Sequence, residues 1–156
     1  MSSMAGTSSA TPVRGLRANS FAAVVILLIE YGLGIWINLY GHLPASDHGA
    51  NIPTGFARAI ANGPVGLSIH ALLGVVLIVS AVTALVRSVL THRPALIAVT
   101  VLGLVAIVVG ASSGASFVGK GDNASSMAMA IAAGVAIGAY TLVLFISASA
   151  QTPEHT

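Results

Sequence analysis

The sequence predicts an all-α protein, a bundle of four transmembrane helices, and three observations carry that expectation. Four long apolar runs, at about 21–40, 64–86, 95–118 and 124–150, fill most of the 156-residue chain. Each approaches the roughly 20 residues a helix needs to cross a bilayer core. Charged residues make up only 6% of the chain, and the mean hydropathy is +0.95. A soluble domain carries about 25% charged residues because its surface meets water. Within the four runs the only formally charged side chain is Glu30. Lipid offers no partner to backbone N–H and C=O groups, so the runs must be helical. The short alternating segments of a membrane β-barrel do not occur in the sequence.

Taken in order, residues 1–19 are rich in Ser, Ala and Thr, with Arg14 and Arg17 before the first run. They read as a cytoplasmic segment without fixed structure. The first run is longer than the 7–15-residue core of a cleavable signal and is followed by Trp36, Asn38, Tyr40 and His42, so it reads as a retained span. Gly41, Pro44 and Pro53 break the chain before the second run, and 54–62 reads as a short interfacial helix. Thr91, His92, Arg93 and Pro94 make one tight turn, with His92 placed to cap the preceding helix. Residues 119–123 make another, with Asp122 or Asn123 as N-cap of the fourth span. The four spans form one transmembrane domain, 20–150, followed by a cytoplasmic tail, 151–156.

Charge asymmetry orients the bundle. Arg14, Arg17, Arg87 and Arg93 fall on the side of the termini, while Arg58 and Lys120 fall on the other with Asp47 and Asp122. The positive-inside rule then puts both termini in the cytoplasm, in the cytoplasmic membrane of a bacterium. Trp36 and Tyr40 fit an aromatic anchor at the outer face. A net charge of +2 without a basic patch argues against a nucleic-acid partner. The absence of cysteine excludes disulfides, thiolate metal sites and iron–sulfur clusters.

Two intramembrane residues are candidates for chemistry. His70 lies about 9 Å into the second helix, counted from Pro64 at 1.5 Å per residue. Gly66 and Gly74 stand one turn to either side of it on the same face, and such clearance suits a flat macrocycle held by the imidazole. The structural alternative is that the glycines admit a neighbouring helix while His70 bonds a backbone carbonyl or a serine. Met129, about 9 Å into the fourth span, reaches a similar depth. His/Met ligation suits b-type haem. His70 with both Met127 and Met129 would instead suit copper(I), the less favoured reading, with His42 and His48 at its approach; both methionines also serve as fillers of small-residue cores.

Glu30 is expected near the midplane, where an ionised carboxylate is costly. It should therefore face the bundle. Gly34 and Asn38 continue its stripe towards the outer face, which suits a proton route or a hydrogen bond to a cofactor or quinone head group. The alternative is a structural bond to Ser112, Ser113, Thr100 or Thr141. The adjacent Asp47 and His48 read as solvated loop residues. No nucleophile–base pair, phosphate loop or dinucleotide fingerprint occurs, so no enzymatic reaction is assigned.

The run EYGLGIWINLY from Glu30 to Tyr40, followed by HALLG from His70 to Gly74, resembles one four-helix half of the haem A synthase type of membrane protein. That resemblance implies b-type haem held by histidine between helices. The third and fourth spans here lack histidine, so only His/Met, His/open or ligation shared between subunits would remain. Three function classes follow. The first is a redox protein holding haem or copper near the outer face and exchanging electrons with quinone or a larger respiratory complex. The second is a cofactor-free accessory or assembly subunit, docking through Gly110 and Gly114 or Gly134 and Gly138, or forming a homo-oligomer. The third is a small proton-coupled transporter using Glu30.

Overall fold

The computed structural model describes residues 10–40 and 51–149. Five helices succeed one another: α1 (Ala10–Tyr40), α2 (Ile52–Asn62), α3 (Val65–Leu90), α4 (Pro94–Lys120) and α5 (Asn123–Ser149). All but α2 are long and apolar enough to cross a membrane. At 1.5 Å per residue α3, α4 and α5 each reach about 40 Å, the thickness of a bilayer with its interfaces.

Each junction has a local cause. The Asn51 side chain caps α2 by accepting from the Thr54 N–H at 2.9 Å. Ser68 Oγ donates to the carbonyls of Ala59 and Gly63, at 3.0 and 3.1 Å, and pins α2 to the start of α3. After α3, Thr91 Oγ1 donates to Ser88 O at 2.6 Å and the His92 N–H to Val89 O at 3.0 Å. His92 serves this turn through its backbone, at φ 53°, where a non-glycine residue is strained. α4 stops at Gly121, whose φ of 66° is the left-handed conformation of a helix C-cap. Asp122 then opens α5, its carboxylate accepting from Ser125 N at 2.7 Å and Ser125 Oγ at 3.0 Å. Those hydrogen bonds, the backbone one first, hold the Asp122 carboxyl below its ordinary value.

α1 starts at Ala10, inside the segment expected to lack fixed structure, and Leu16 and Ser20 are fully buried. Pro12 sits in the first turn, where its missing N–H breaks no helical bond. Gly15 admits the Arg87 side chain, since a Cβ there would lie 2.5 Å from a guanidinium nitrogen. Asn19 Nδ2 donates to Ser80 O at 2.8 Å. The helix thus outruns its apolar stretch because α3 supplies polar partners below it. Residues 1–9, the 41–50 connection with Asp47, His42 and His48, and the tail beyond 149 lie outside the described residues.

α1 packs against α3 and α5, and α4 packs against the same two helices, closing a ring of antiparallel neighbours. Alanines and glycines set the spacing: Ala23, Ala81, Ala84 and Ala136 are wholly or almost wholly buried, and Gly103 abuts the buried Tyr140 ring. Ser88 and Thr100 link α3 to α4 through a 2.7 Å hydroxyl contact. The outer surface carries Phe21, Val79, Ile131 and Phe145, each 60% or more exposed. An apolar exterior on this scale suits lipid and not water.

The interior divides in two. The larger core, with Leu16, Leu27, Leu77, Ile107 and Tyr140, fills the half nearer the termini. A smaller one, with Ile37, Ala59, Leu67, Ala71 and Val118, lies under α2. Between them is a cavity.

Candidate functional site

The cavity has a volume of about 510 Å³, and both cores contribute to its wall. α1 brings Glu30 to it, α3 brings His70, and α5 brings Met129. The Glu30 carboxylate and the His70 ring meet, with Oε2 2.5 Å from Nδ1. Glu30 is only 8% exposed, and its second oxygen, Oε1, is buried without a hydrogen-bond partner among the described residues. The Nδ1 approach is close without being an aligned hydrogen bond. An acid and a base side chain in contact compensate each other, the condition under which titratable groups persist inside a bilayer.

Gly34 is what lets the site exist. A Cβ at Gly34 would stand 3.5 Å from His70 Cε1, 3.9 Å from His70 Nε2 and 3.9 Å from Met129 Cε. The far edge of the imidazole and the end of the thioether therefore converge on one glycine. Gly114 on α4 makes room for the sulfur, 3.2 Å from where its Cβ would be. Gly74 lines the cavity and faces open space, with nothing within 4 Å of an added Cβ. Gly66 has a different neighbour: its Cβ would come within 2.7 Å of the Trp36 ring, so it seats α1 against α3.

Several expectations need adjustment. Glu30 takes none of Ser112, Ser113, Thr100 or Thr141 as its close partner; Thr100 bonds Ser88 and Leu96 O instead. His70 faces a carboxylate and not a backbone carbonyl or serine. Met127 is 64% exposed at the cavity's edge. Among the described residues no three histidine or carboxylate side chains converge as a metal cluster. Gly110 and Gly114 look inward, towards Ala132 and Met129, while Gly134 and Gly138 are open on the outside of α5.

Sequence position alone does not bring Glu30 and His70 together. Depth counted from the start of the first run puts Glu30 at the midplane and His70 nearer the outer face. The Trp36–Gly66 contact shows why they meet: the end of α1 overshoots the start of α3. Two titratable residues in adjacent antiparallel spans, each needing compensation in lipid, were the signal that could have found it.

The chain is thus a small multi-pass helical membrane protein with four candidate spans and a polar pair enclosed between them. No family model, curated protein or solved structure matches it.

Proposed function

We propose that this protein holds b-type haem in the cavity beside His70, as a small redox protein of the membrane. The observation that carries the reading is the orientation of the imidazole. Histidines that ligate metal commonly give their other ring nitrogen to a carboxylate, which fixes the ring and raises its basicity. Here Nδ1 meets Glu30, while Nε2 and the Met129 methyl both approach Gly34. His70 is then the ligand, Glu30 its positioning residue, and Met129 the candidate second ligand. Gly34 and Gly74 leave a cradle that side chains would fill, in keeping with a flat ring. Bound haem would supply a one-electron couple, of raised potential if a thioether completes the coordination.

The likeness of the Glu30–Tyr40 and His70–Gly74 runs to haem A synthase-type proteins supports the same reading. Copper fits less well: one imidazole and one thioether converge, and Met127 is turned largely outward. The four arginines at the end of the termini favour a cytoplasmic location for both, in a bacterial inner membrane, with haem nearer the outer face and quinone or a respiratory complex as the electron partner. The visible spectrum of detergent-purified protein from haem-replete cells tests the assignment. A Soret band with α and β bands sharpening on dithionite reduction, lost in His70→Ala, is the expected result. A featureless spectrum, or one unchanged in His70→Ala, overturns it.

A second reading has its own observation. Gly134 and Gly138 leave the outside of α5 open to a neighbouring helix, as an accessory subunit or a homo-oligomer would use it. Leucine at both positions should then abolish co-purification with a partner while leaving the haem spectrum intact.

A further inference from the structure

The cavity wall is not uniform. Its contributors from α2, α3 and α4, among them Gly55, Leu67, Ala71, Ala106 and Val118, are buried or half-buried. Its exposed contributors come from α1 and α5: Tyr31, Ile35, Asn38 and Leu39 on one side, Asn123 and Met127 on the other. Tyr31, Ile35 and Asn38 recur at helical spacing, one stripe round from the Glu30–Gly34 face. Asn123, Met127 and Ala130 form the corresponding stripe on α5. α1 and α5 are neighbours in the ring, so two adjacent helices present the cavity's edges to the outside.

We propose that the gap between α1 and α5 is a lateral portal, through which the ligand of the His70–Glu30 site is loaded from the bilayer and not from water. The opening lies in the flank of transmembrane helices, at the level of Tyr31 and Ile35, four residues apart on a span. Its rim is apolar at Ile35, Leu39 and Met127 and polar at Asn38 and Asn123 towards one end, and behind it stands the nearly buried Glu30 with an unpartnered oxygen. A ligand taking this route is membrane-dissolved, with a polar or metal centre that ends at the pair. That ligand class rests on the haem reading above, whereas the portal rests on the cavity wall alone.

The portal is tested without haem by exploiting the lack of native cysteine. Gly74→Cys introduces a thiol where a Cβ meets nothing within 4 Å, on the cavity wall contributed by α3. In proteoliposomes of the full chain, a bilayer-dissolved N-alkylmaleimide should label it at least tenfold faster than a charged, impermeant maleimide. Adding Ile35→Trp, or Ala130→Trp in case one rim variant folds poorly, should slow the lipid-borne reagent at least fivefold. Equal labelling by both reagents, or rim variants without effect in folded protein, overturns the portal. Transfer of haemin from protein-free donor vesicles then tests the ligand: loading slowed by Ile35→Trp supports both proposals. A portal that passes the maleimide while no haemin binds removes haem and leaves the portal standing.

Discussion

Glu30 and His70 reach each other from antiparallel helices, 2.5 Å apart, at the seam between two separate apolar cores. Neither residue would be stable there alone, because lipid and small apolar side chains offer a titratable group nothing. Together they bring an acid and a base side chain into direct contact between two spans. The glycine one turn beyond Glu30 keeps the far edge of the imidazole uncovered, on the side where the Met129 methyl also approaches.

The pair should be energetically coupled. Polar contacts between membrane helices couple by about 0.6 kcal/mol on average and reach about 1–2 kcal/mol at most, and a buried pair that can carry charge belongs at the upper end. Unfolding of Glu30→Leu, His70→Phe and the double variant in mixed detergent should give a coupling energy of about 1–2 kcal/mol. Additive effects would mean that the two side chains do not interact.

Gly34 sets the space available over the imidazole. A single Cβ makes ordinary contact with His70 and Met129, so on the proposed haem function Gly34→Ala should fold and retain at least half of the haem that the parent holds. Gly34→Leu should fold and lose it, because its branch would occupy the space beside Nε2. Equal haem content in the two variants would detach the cofactor from this face of His70.

Two other glycines should respond with opposite sign. A Cβ at Gly103 would stand 2.8 Å from a Tyr140 ring that is fully buried, so Gly103→Ala should destabilise by about 1–3 kcal/mol through overpacking. Gly138 has nothing within 4 Å, and Gly138→Ala should be neutral or gain up to about 1 kcal/mol from helix propensity. Detergent unfolding midpoints decide both, and similar shifts for the two would contradict the packing described.

Asp122 gives a pH signature outside the membrane-spanning helices. Its folded pKa is depressed from an ordinary 3.8, because the carboxylate accepts from Ser125 backbone and side chain. A depressed value contributes stability that is present above the unfolded pKa and lost as pH falls through the folded one. Asp122→Asn keeps one capping oxygen and removes the titration, so it should be less stable than the parent near neutrality, converge on it in acid, and flatten the acid limb below about pH 4. An unaltered acid limb would show that the cap contributes no pH dependence.

Much of this architecture was legible in the residues, and the reasons are physical. Spans are set by length and hydropathy, which are local properties, so 64–86, 95–118 and 124–150 became α3, α4 and α5 with ends shifted by a few residues. Turns at His92 and Gly121 and the cap at Asp122 follow from short-range chemistry. α1 was less legible because its first turns are held by Asn19 and Arg87, through contacts with α3 that no window on α1 contains. The site was half legible. Glu30, His70, Gly74 and Met129 were singled out and share the cavity, but Gly66 belongs to Trp36, and Gly34 proved the closer determinant. Which glycine faces which ring depends on how far two helices slide past each other, a quantity that no single helix encodes.

The pair also imposes an order on biosynthesis. Glu30 leaves the ribosome before His70 does, by roughly 2–8 s at about 5–20 residues per second. During that interval the first helix must partition into the membrane with its acid uncompensated. Leu27, Leu28 and Ile29 immediately precede Glu30, and each contributes about −0.3 to −0.6 kcal/mol to insertion at a helix centre. They offset part of the acid's cost until α3 arrives. Once α3 is present, the Glu30–His70 contact fixes which face of α1 turns towards it, alongside the Asn19–Ser80 and Trp36–Gly66 contacts.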